Sequence, residues 1–252
     1  MKILFTICAR KGSKGLKNKN ISDFLKYPIC YYTLSAYDLF VKNSSAYECE
    51  LALNTDSNEL VEQFKTTNIA FTHIPRTEEL AGDRVGKIDV IKDTYIKMNK
   101  PYNYVIDIDL TSPLRTEKDI EGVLEALIEN KEADLSFSMT TSRRSPYFNQ
   151  VKKYENGFYK PVENLGAVSR QEVPSVYDMN ASIYAYRPEF LLKAVKLFDG
   201  KAVAYEMKDT AVLDIDNPED KELMENMALY FYDKYDDYGK IKKNIANIKN
   251  RE

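Results

Sequence analysis

The chain has 252 residues with 36 Lys or Arg, 39 Asp or Glu and a formal net charge of −3, so it is long enough to bury a substantial core. Its pI near 5.5 argues against a general nucleic-acid-binding surface, which would be broadly basic. Three cysteines without a paired spacing and a single histidine favour a reduced, cytoplasmic protein over a disulfide framework or a zinc site.

Short apolar runs alternate with longer segments of helical period along most of the chain. The first run, KILFTIC, is too short for the core of a signal peptide or for a membrane span, so we expect no membrane partner. The predicted strands are 2–8, 50–54, 70–74, 104–109, 134–139, 182–186, 202–207 and 211–216. The predicted helices are 29–41, 57–66, 87–98, 117–130 and 218–235, with a short amphipathic helix in the tail. This alternation predicts an α/β fold with a parallel sheet.

Residues 140–178 interrupt this pattern. They are rich in Arg, Tyr, Pro, Asn and Gly and show no strong period. A structureless loop of this length is unusual in a compact domain, so we predict a functional or β-structured excursion within a single domain, 1–252. Helix boundaries are better marked, because Asp56 or Ser57 can cap the helix 57–66 and Pro218 suits the first turn of the final helix.

The residues that follow the first strand, ARKGSKGLKNKN at 9–20, combine five cations with two glycines. Gly12 and Gly15 permit positive φ, so several backbone N–H groups can turn toward an anion. Open α/β sheets bind ligands at the carboxyl ends of their strands, which makes a polyphosphate the expected ligand. An exposed lysine-rich turn is the alternative. The Walker pattern GxxxxGK[ST] and the dinucleotide fingerprint GxGxxG are both absent.

Asp214 and Asp216 are two residues apart in an apolar run. On an extended strand their carboxylates would point to the same face. Paired carboxylates that face phosphates are typical of a Mg²⁺ site. The alternative is that they cap the helix that begins at Pro218.

Residues 9–20 resemble the A-R-x-G-S-K-G-x-x-x-K-N signature of the acylneuraminate cytidylyltransferases, the CMP-sialic acid synthetase family. Further blocks of that family follow in the same order: NTDS (54–57), PRTEELAGD (75–83), TSPLR (111–115), SRQ (169–171), MNASIY (179–184) and LDIDNPED (213–220). The resemblance covers most of residues 1–225. It implies a Rossmann-like, mostly parallel sheet flanked by helices, with a small dimerisation excursion and a homodimeric assembly.

The resemblance also implies a set of site residues. Arg10, Lys14, Lys19, Asp214 and Asp216 would be catalytic, with Mg²⁺ as the cofactor at the two aspartates. The implied nucleotide site consists of Ala9, Arg10, Gly12, Ser13, Lys14, Gly15, Lys19, Asn20, Arg76 and Asp83. Lys11 and Lys17 fall at variable positions of the signature, so we expect them to be solvated.

Two positions depart from the family pattern. Pro75 precedes Arg76, the reverse of the commoner order, and the arginine that would contact cytosine could instead pair at the surface with Glu78 or Glu79. Asp109 stands where most relatives have glutamine, and an aspartate at the end of a buried strand needs a partner. We expect it to be a second metal ligand or a sugar contact, with capping of the TSPLR turn as the alternative. Asp107 shares its face but lies deeper.

The sugar pocket needs cationic and polar side chains for a carboxylate and several hydroxyl and acylamino groups. The resemblance implies that Arg143, Arg144, Arg170, Gln171 and Asn180 supply them, although the first two could also form a dimer interface or a solvated loop. The stretch RRSPYFN at 143–149 looks most like cytidylyltransferases for diaminated sialic acid analogues such as legionaminic acid. In this chain Ala181 replaces a glycine that is usual in the family.

The expected reaction is therefore transfer of CMP from CTP to the anomeric hydroxyl of a legionaminic-type nonulosonic acid, with release of pyrophosphate. The alternatives are a cytidylyltransferase for N-acetylneuraminic acid or Kdo and a catalytically inactive nucleotide-binding relative. Kdo enzymes usually carry a QGDEP-like block, which this chain lacks. An inactive scaffold would have no need for a carboxylate pair opposite a phosphate loop.

Overall fold

The structure is a computed structural model that describes residues 1–12, 16–82, 84–208 and 214–250. Within these residues the strands are β1 Lys2–Cys8, β2 Asp23–Phe24, β3 Tyr27–Pro28, β4 Glu48–Thr55, β5 Thr72–Pro75, β6 Tyr104–Ile108, β7 Leu135–Thr141, β8 Val151–Lys153, β9 Tyr159–Pro161, β10 Tyr177–Tyr186 and β11 Ala202–Glu206. The helices are α1 Cys30–Asn43, α2 Asn58–Lys65, α3 Glu78–Ala81, α4 Lys87–Met98, α5 Glu117–Glu129, α6 Pro188–Lys193, α7 Pro218–Lys234 and α8 Asp236–Ile248.

The main sheet of the described residues has seven strands in the order β11-β7-β10-β6-β1-β4-β5. Its pairs are parallel except for β10, which runs antiparallel to both β6 and β7. The chain runs from β1 outward to β4 and β5, and then returns to place β6 on the other side of β1. A reversal of this kind opens a crevice at the carboxyl ends of the two strands, which is where α/β sheets bind ligands.

Alternating side chains of β1 build two separate apolar layers. Ile3, Phe5 and Ile7 are fully buried on one face, in the same cluster as the apolar faces of α1, α5, α7 and α8. Leu4 points to the other face and belongs to a second cluster that contains Ile88 of α4. The sheet is therefore covered by helices on both faces, as expected for parallel strands with apolar side chains on both sides.

Polar side chains fix the starts of the helices that flank the crevice. The Ser57 hydroxyl accepts a hydrogen bond from Leu60 N at 3.2 Å and so caps α2, which resolves the predicted choice between Asp56 and Ser57. Asn217 caps α7 in a reciprocal capping box with Asp220. Because Asn217 fills this position, the Asp216 carboxylate is not the cap of α7.

The predicted excursion leaves and re-enters the main sheet at one point. Thr141 at the end of β7 pairs directly with Tyr177 at the start of β10. Between them β8 and β9 form a separate two-stranded sheet. The excursion carries exposed apolar side chains, with Phe158 71% and Val168 84% exposed.

Most predicted elements are confirmed within two or three residues of their expected bounds, and the predicted helix 87–98 coincides with α4. The antiparallel direction of β10 was not predicted; it follows because the excursion returns beside the strand it left, without a crossover helix. The predicted strand 211–216 lies outside the described residues at 211–213, and residues 214–216 have no regular secondary structure. None of the helices in the described ranges is long and apolar enough to cross a membrane.

Candidate active site

Three neighbouring strands end at the crevice. Cys8 at the end of β1 pairs with Asn54 of β4, and Thr6 pairs with Asp107 of β6. The segments that follow these strands therefore meet at one edge of the sheet. They enclose a cavity of about 240 Å³ whose polar lining residues are Arg10, Lys19, Asn20, Arg76, Lys87, Asp109 and Thr111.

A second cavity of about 230 Å³ adjoins the first along the basic loop. It shares Arg10, Lys19 and Asn20 with the first cavity and adds Lys11 and Lys17. Gly12 lies at its edge with φ of +78°, the left-handed conformation that the sequence predicted for a glycine there. The two cavities together form a groove along the loop whose charged lining residues, among those the structure describes, are six cations and two carboxylates, an excess of positive charge that suits a polyphosphate. Ser13, Lys14 and Gly15 lie outside the described residues.

Hydrogen bonds hold the described part of the basic loop in place. Asn20 Nδ2 donates to the Arg10 carbonyl at 3.0 Å, and Arg10 Nη1 donates to the Ala81 carbonyl at 3.1 Å. Lys11 donates its backbone N–H to Asp56 Oδ1 at 2.5 Å, while its Nζ lies 3.7 Å from Glu59 in a pair that is more than half exposed. Arg10 and Asn20 are thus structurally fixed, whereas the Lys11 side chain is close to the solvated state that we expected.

Lys19 joins the loop to the predicted carboxylate pair. Its Nζ lies 2.8 Å from Asp216 Oδ1 and donates to the Ile215 carbonyl at 3.1 Å. The Lys19 side chain is 18% exposed, whereas that of Asp216 is 73% exposed. The structure therefore brings a cation of the predicted phosphate loop into direct contact with a carboxylate of the predicted metal pair. The sequence predicted that the pair lies opposite the loop, but it did not predict this ion pair.

Asp214 and Asp107 each have a buried carboxylate oxygen that receives no hydrogen bond, but Asp107 Oδ2 lies 2.8 Å from Lys87 Nζ. The Asp214 carboxylate has no such ion pair within the described residues. Its Oδ1 is buried and has no hydrogen-bond donor. Burial, and then the charges of Asp109 and Asp216, raise the pKa of Asp214 to about 7 against the opposing effects of Lys87 and Lys19. A buried carboxylate oxygen without a donor, surrounded by like charges, is an environment that a hard cation would stabilise.

The chemistry of these residues fits Mg²⁺. Among the described residues no three His, Cys, Asp or Glu side chains converge into a cage made of protein ligands alone. Mg²⁺ does not require one, because it is usually held by one or two carboxylates together with substrate phosphates and water. Asp214 and Asp216, beside a groove suited to phosphates, meet that description, and their role as metal ligands stays a prediction.

Both carboxylate oxygens of Asp109 contact groups of the protein itself. Its Oδ1 accepts hydrogen bonds from Thr111 N at 2.9 Å and Thr111 Oγ1 at 2.8 Å, so it caps the TSPLR turn as the alternative interpretation held. Its Oδ2 lies 2.6 Å from Lys87 Nζ. Burial alone would raise the pKa of Asp109, but Lys87 and Thr111 outweigh it and hold this pKa below the usual range. A role for Asp109 as a metal ligand or sugar contact stays a prediction.

Lys87 is a site residue that the sequence interpretation missed. It is the first residue of α4 and lies between Asp107 and Asp109 on the cavity wall. One signal could have found it, because a cation at the first position of a helix is unfavourable next to the positive end of the helix dipole. Asp107 is fully buried, as its expected deeper position implied.

Arg115 also lies at the site without having been predicted. It is the last residue of the TSPLR block, and its side chain is fully buried. Its Nη2 donates to the carbonyls of Asp109 and, at 2.6 Å, Ser112. Burial lowers the pKa of Arg115 to about 10, with nearby carboxylates including Asp109 opposing the effect. Arg115 therefore supports the backbone that carries Asp109.

Arg76 faces the cavity from the end of β5. Its Nε donates to Asn54 Oδ1 at 2.9 Å and its Nη2 donates to the Asn54 carbonyl at 3.2 Å. This half-buried position differs from the alternative of a surface pair with Glu78 or Glu79, and burial lowers the pKa of the guanidinium. Asp83 lies outside the described residues.

The Asn180 side chain is buried in the protein and does not reach the surface. It is 1% exposed, its Oδ1 accepts from Ser138 Oγ at 2.6 Å, and its Nδ2 contacts the Met207 sulfur at 3.2 Å. These contacts lie where the register between β10 and β7 shifts. The neighbouring Ala181 has φ of +52°, which explains why a glycine is usual there. A direct sugar contact by Asn180 stays a prediction.

The remaining predicted sugar contacts are in the excursion. Arg143, Arg144 and Gln171 are exposed, and they are not part of the wall of either cavity. Arg170 begins a short 3-10 turn, Arg170–Glu172, and its side chain lies outside the described part of the chain. The role of these residues stays a prediction.

Comparisons of the sequence with known proteins identify the family to which this chain belongs. Residues 4–245 match the family model described as Cytidylyltransferase. Among curated relatives, the chain is 33% identical to a CMP-N,N'-diacetyllegionaminic acid synthase of Campylobacter jejuni, over 88% of this chain and 93% of that protein. It is 32% identical to a post-translational flagellin modification protein B of Campylobacter coli, over the same shares of the two chains.

A solved structure has the same fold. It is a CMP:2-keto-3-deoxy-manno-octonic acid synthetase complexed with CTP, with a TM-score of 0.66, 14% identity, and coverage of 91% of this chain and 99% of that one. The family model and the two relatives confirm the resemblance that the sequence blocks indicated. The chain belongs to the cytidylyltransferase family and is a nucleotidyltransferase enzyme.

Proposed function

We propose that this enzyme transfers CMP from CTP to the anomeric hydroxyl of a nonulosonic acid of the legionaminic type. The observation that carries the proposal is the contact of Lys19 with Asp216 at the crevice between β1 and β6. Lys19 lines the basic groove, so this contact supports a site in which a triphosphate lies near the carboxylates of Asp214 and Asp216. Nucleotidyl transfer needs both, because negative charge increases on the α-phosphate and on the departing pyrophosphate.

In the proposed reaction the anomeric hydroxyl oxygen bonds to the α-phosphorus of CTP as the bond from that phosphorus to the β-phosphate oxygen breaks. The products are the CMP-sugar, pyrophosphate and the proton of the hydroxyl group. Arg10, Lys14 and Lys19 bind the triphosphate, and Ala9, Gly12, Ser13, Gly15 and Asn20 shape its groove. Mg²⁺ held by Asp214 and Asp216 would supply charge neutralisation at the phosphates and lower the pKa of the attacking hydroxyl.

Recognition of the base is assigned to Arg76. Cytosine presents O2 and N3 as acceptors, which a guanidinium can meet with two donors. Two nitrogens of Arg76 already donate to Asn54, which orients the planar group along the cavity wall. Asp83 follows in the same sequence block and is proposed to belong to the nucleotide site.

Recognition of the sugar is assigned to the excursion and its surroundings. Arg143, Arg144 and Arg170 would meet the carboxylate, with Gln171 and Asn180 as hydrogen-bonding groups. Because the first two are exposed, we propose that a second copy of the chain completes the pocket in a homodimer formed through the excursion. A cytoplasmic location suits the thiols of Cys8, Cys30 and Cys49, which are not joined in disulfides.

The proposal is tested by supplying the purified protein with CTP and Mg²⁺ and a panel of sugars: N,N'-diacetyllegionaminic acid, N-acetylneuraminic acid and Kdo. Pyrophosphate release is measured together with the mass of the CMP-sugar. We expect the highest kcat/KM with the legionaminic acid. Release with none of the α-keto acid sugars would contradict the proposed activity, whereas a preference for Kdo would contradict only the assigned substrate class.

A further inference from the structure

Two carboxylates at the end of β6 have every oxygen beside a donor or a cation of the protein, although Asp107 Oδ2 forms only an ion pair with Lys87 and receives no hydrogen bond. Thr6 Oγ1 donates to Asp107 Oδ1 at 2.8 Å. Thr111 donates twice to Asp109 Oδ1, through its backbone N–H at 2.9 Å and its hydroxyl at 2.8 Å. The two remaining oxygens, one from each aspartate, both face Lys87 Nζ, at 2.8 Å from Asp107 Oδ2 and 2.6 Å from Asp109 Oδ2.

Lys87 is held there against two unfavourable effects. It occupies the first position of α4, where the helix dipole disfavours a cation. Burial also disfavours the ammonium ion, but Asp107 and Asp109 outweigh burial and hold the pKa of Lys87 well above its usual range. The side chain is 33% exposed, compared with 0% for Asp107 and 24% for Asp109. Lys87 is therefore a permanent charge in the site.

The neighbouring carboxylate is different. Asp214 Oδ1 is buried without a donor, although the charge of Asp109 is among those that act on it. The carboxylates of the site thus divide into a pair that a lysine neutralises in part and an aspartate that has a vacant oxygen. Asp107 Oδ2 receives no hydrogen bond either, but Lys87 Nζ lies 2.8 Å from it, whereas no ion pair within the described residues involves Asp214 Oδ1. The space beside Asp214 is therefore the one open to a cation from outside the protein.

We propose that Lys87 is a positioning residue whose ammonium group takes the place of a divalent cation between Asp107 and Asp109 and confines metal binding to the Asp214 side of the site. The two aspartate oxygens lie 2.8 and 2.6 Å from the same nitrogen, so a cation at that point would need each carboxylate to move by only a few tenths of an ångström to reach the usual ligand distances of about 2.0–2.6 Å. The last step of this inference rests on the proposed metal site at Asp214 and Asp216.

The test is metal stoichiometry, measured with Mn²⁺ alone by the loss of its free signal in electron paramagnetic resonance. Lys87→Gln removes the charge and leaves the two aspartates in place. The matched control is Lys97→Gln, which removes a cation from the same helix, where it pairs with Asp93 at 2.7 Å away from the cavity wall. We expect Lys87→Gln to bind one more Mn²⁺ per chain than the wild type and Lys97→Gln to bind the same number as the wild type.

A Lys87→Gln protein with the wild-type stoichiometry would overturn the inference, since a purely structural lysine adds no metal site when it is removed. The double variant Lys87→Gln/Asp109→Asn lacks one ligand and is expected to return to the wild-type number; an extra Mn²⁺ in it would also overturn the assignment. If Lys87→Gln unfolds without metal, Mn²⁺ should restore its near-ultraviolet circular dichroism, and failure to do so contradicts the inference.

The same measurement separates this inference from the proposed metal site. A wild-type protein that binds no Mn²⁺, beside a Lys87→Gln variant that binds one per chain, would support the role of Lys87 and contradict metal binding at Asp214 and Asp216. A wild-type protein that binds one, beside a variant that binds two, supports both.

Discussion

Single residues at the crevice differ in how completely their charges are compensated. Asp216 is paired with Lys19 and Asp109 with Lys87, whereas Asp214 Oδ1 is buried without a donor. An ionised carboxylate in that position opposes folding, so the protonation state of Asp214 should be visible in the stability of the protein.

The first prediction concerns pH. The native pKa of Asp214 is about 7, above the value of about 3.9 in an unfolded chain, so the native state binds more protons between these values. Asp214 therefore lowers the free energy of unfolding as the pH rises from about 4 to 7, by an amount on the order of 2–4 kcal/mol. In metal-free buffer, Tm of the wild type should fall more steeply between pH 5 and 8 than Tm of Asp214→Asn.

Identical pH slopes for the two proteins would contradict this account of Asp214. Adding Mg²⁺ at pH 8 provides a second comparison. A cation that compensates the carboxylate should raise Tm of the wild type more than that of Asp214→Asn.

The second prediction separates the lysines of the basic loop. Lys19 is 18% exposed and lies at the junction of both cavities, whereas Lys17 is exposed in the same loop. Lys19→Met should weaken CTP binding by about 10- to 100-fold, since a charged hydrogen bond to phosphate contributes about 1.5–3 kcal/mol. Lys17→Met should change it by less than about 3-fold.

Isothermal titration calorimetry with CTP in metal-free buffer gives both affinities. Equal losses in the two variants would mean that the loop acts through its total charge alone. That result would contradict a specific role for Lys19.

At the scale of elements, the helices and most of the parallel strands could be predicted from periodicity because they bury continuous apolar faces. The direction of β10 could not, since it depends on where the excursion returns and not on the composition of the strand. The ion pair between Lys87 and Asp107 could not be predicted from the sequence for a related reason. It arises only when the first turn of α4 is packed above the end of β6, a contact that no local pattern encodes.

The irregular part of β10 supplies the third prediction. Ala181 adopts φ of +52°, where a Cβ is unfavourable by about 1–2 kcal/mol and glycine is not. Ala181→Gly should therefore stabilise the protein by about 0.5–1 kcal/mol after the entropic cost of glycine, and raise Tm by about 1–4 °C. Circular dichroism recorded during thermal unfolding measures the change in Tm. A lower Tm in the variant would contradict the strain assigned to Ala181.

At the scale of the whole molecule, the excursion carries exposed apolar side chains on which the proposed homodimer would form. Phe158 is 71% exposed, Tyr159 63% and Val168 84%. Exposed apolar groups on one segment often mark an interaction surface. The distant Val195, 71% exposed after α6, offers a comparison outside the excursion.

The fourth prediction is that Phe158→Asp converts a homodimer to a monomer, because a charge in an apolar interface is desolvated without a partner. Val195→Asp should leave the dimer intact. Sedimentation velocity distinguishes these states. A wild type that sediments as a monomer, or a Phe158→Asp variant that remains dimeric, would contradict the assigned interface.

The site as a whole could be predicted in part. The contact between Lys19 and Asp216 joins two motifs that the family resemblance had already paired, and the structure brings them together. The lysine that partners Asp109 lies outside every block of the resemblance, and Arg115, the last residue of the TSPLR block, had no role assigned to it. Their positions are set by packing around the carboxyl end of β6, which a linear pattern does not describe.

The central claim is that this enzyme directs a sugar hydroxyl to the α-phosphorus of CTP. Phosphorus NMR of one reaction with CTP, Mg²⁺ and N,N'-diacetyllegionaminic acid tests it most directly. The account predicts that the three resonances of CTP are replaced by the phosphodiester resonance of the CMP-sugar and by pyrophosphate, in equal amounts and only when the sugar is present. Formation of CDP with inorganic phosphate, or consumption of CTP that does not depend on the sugar, would contradict it.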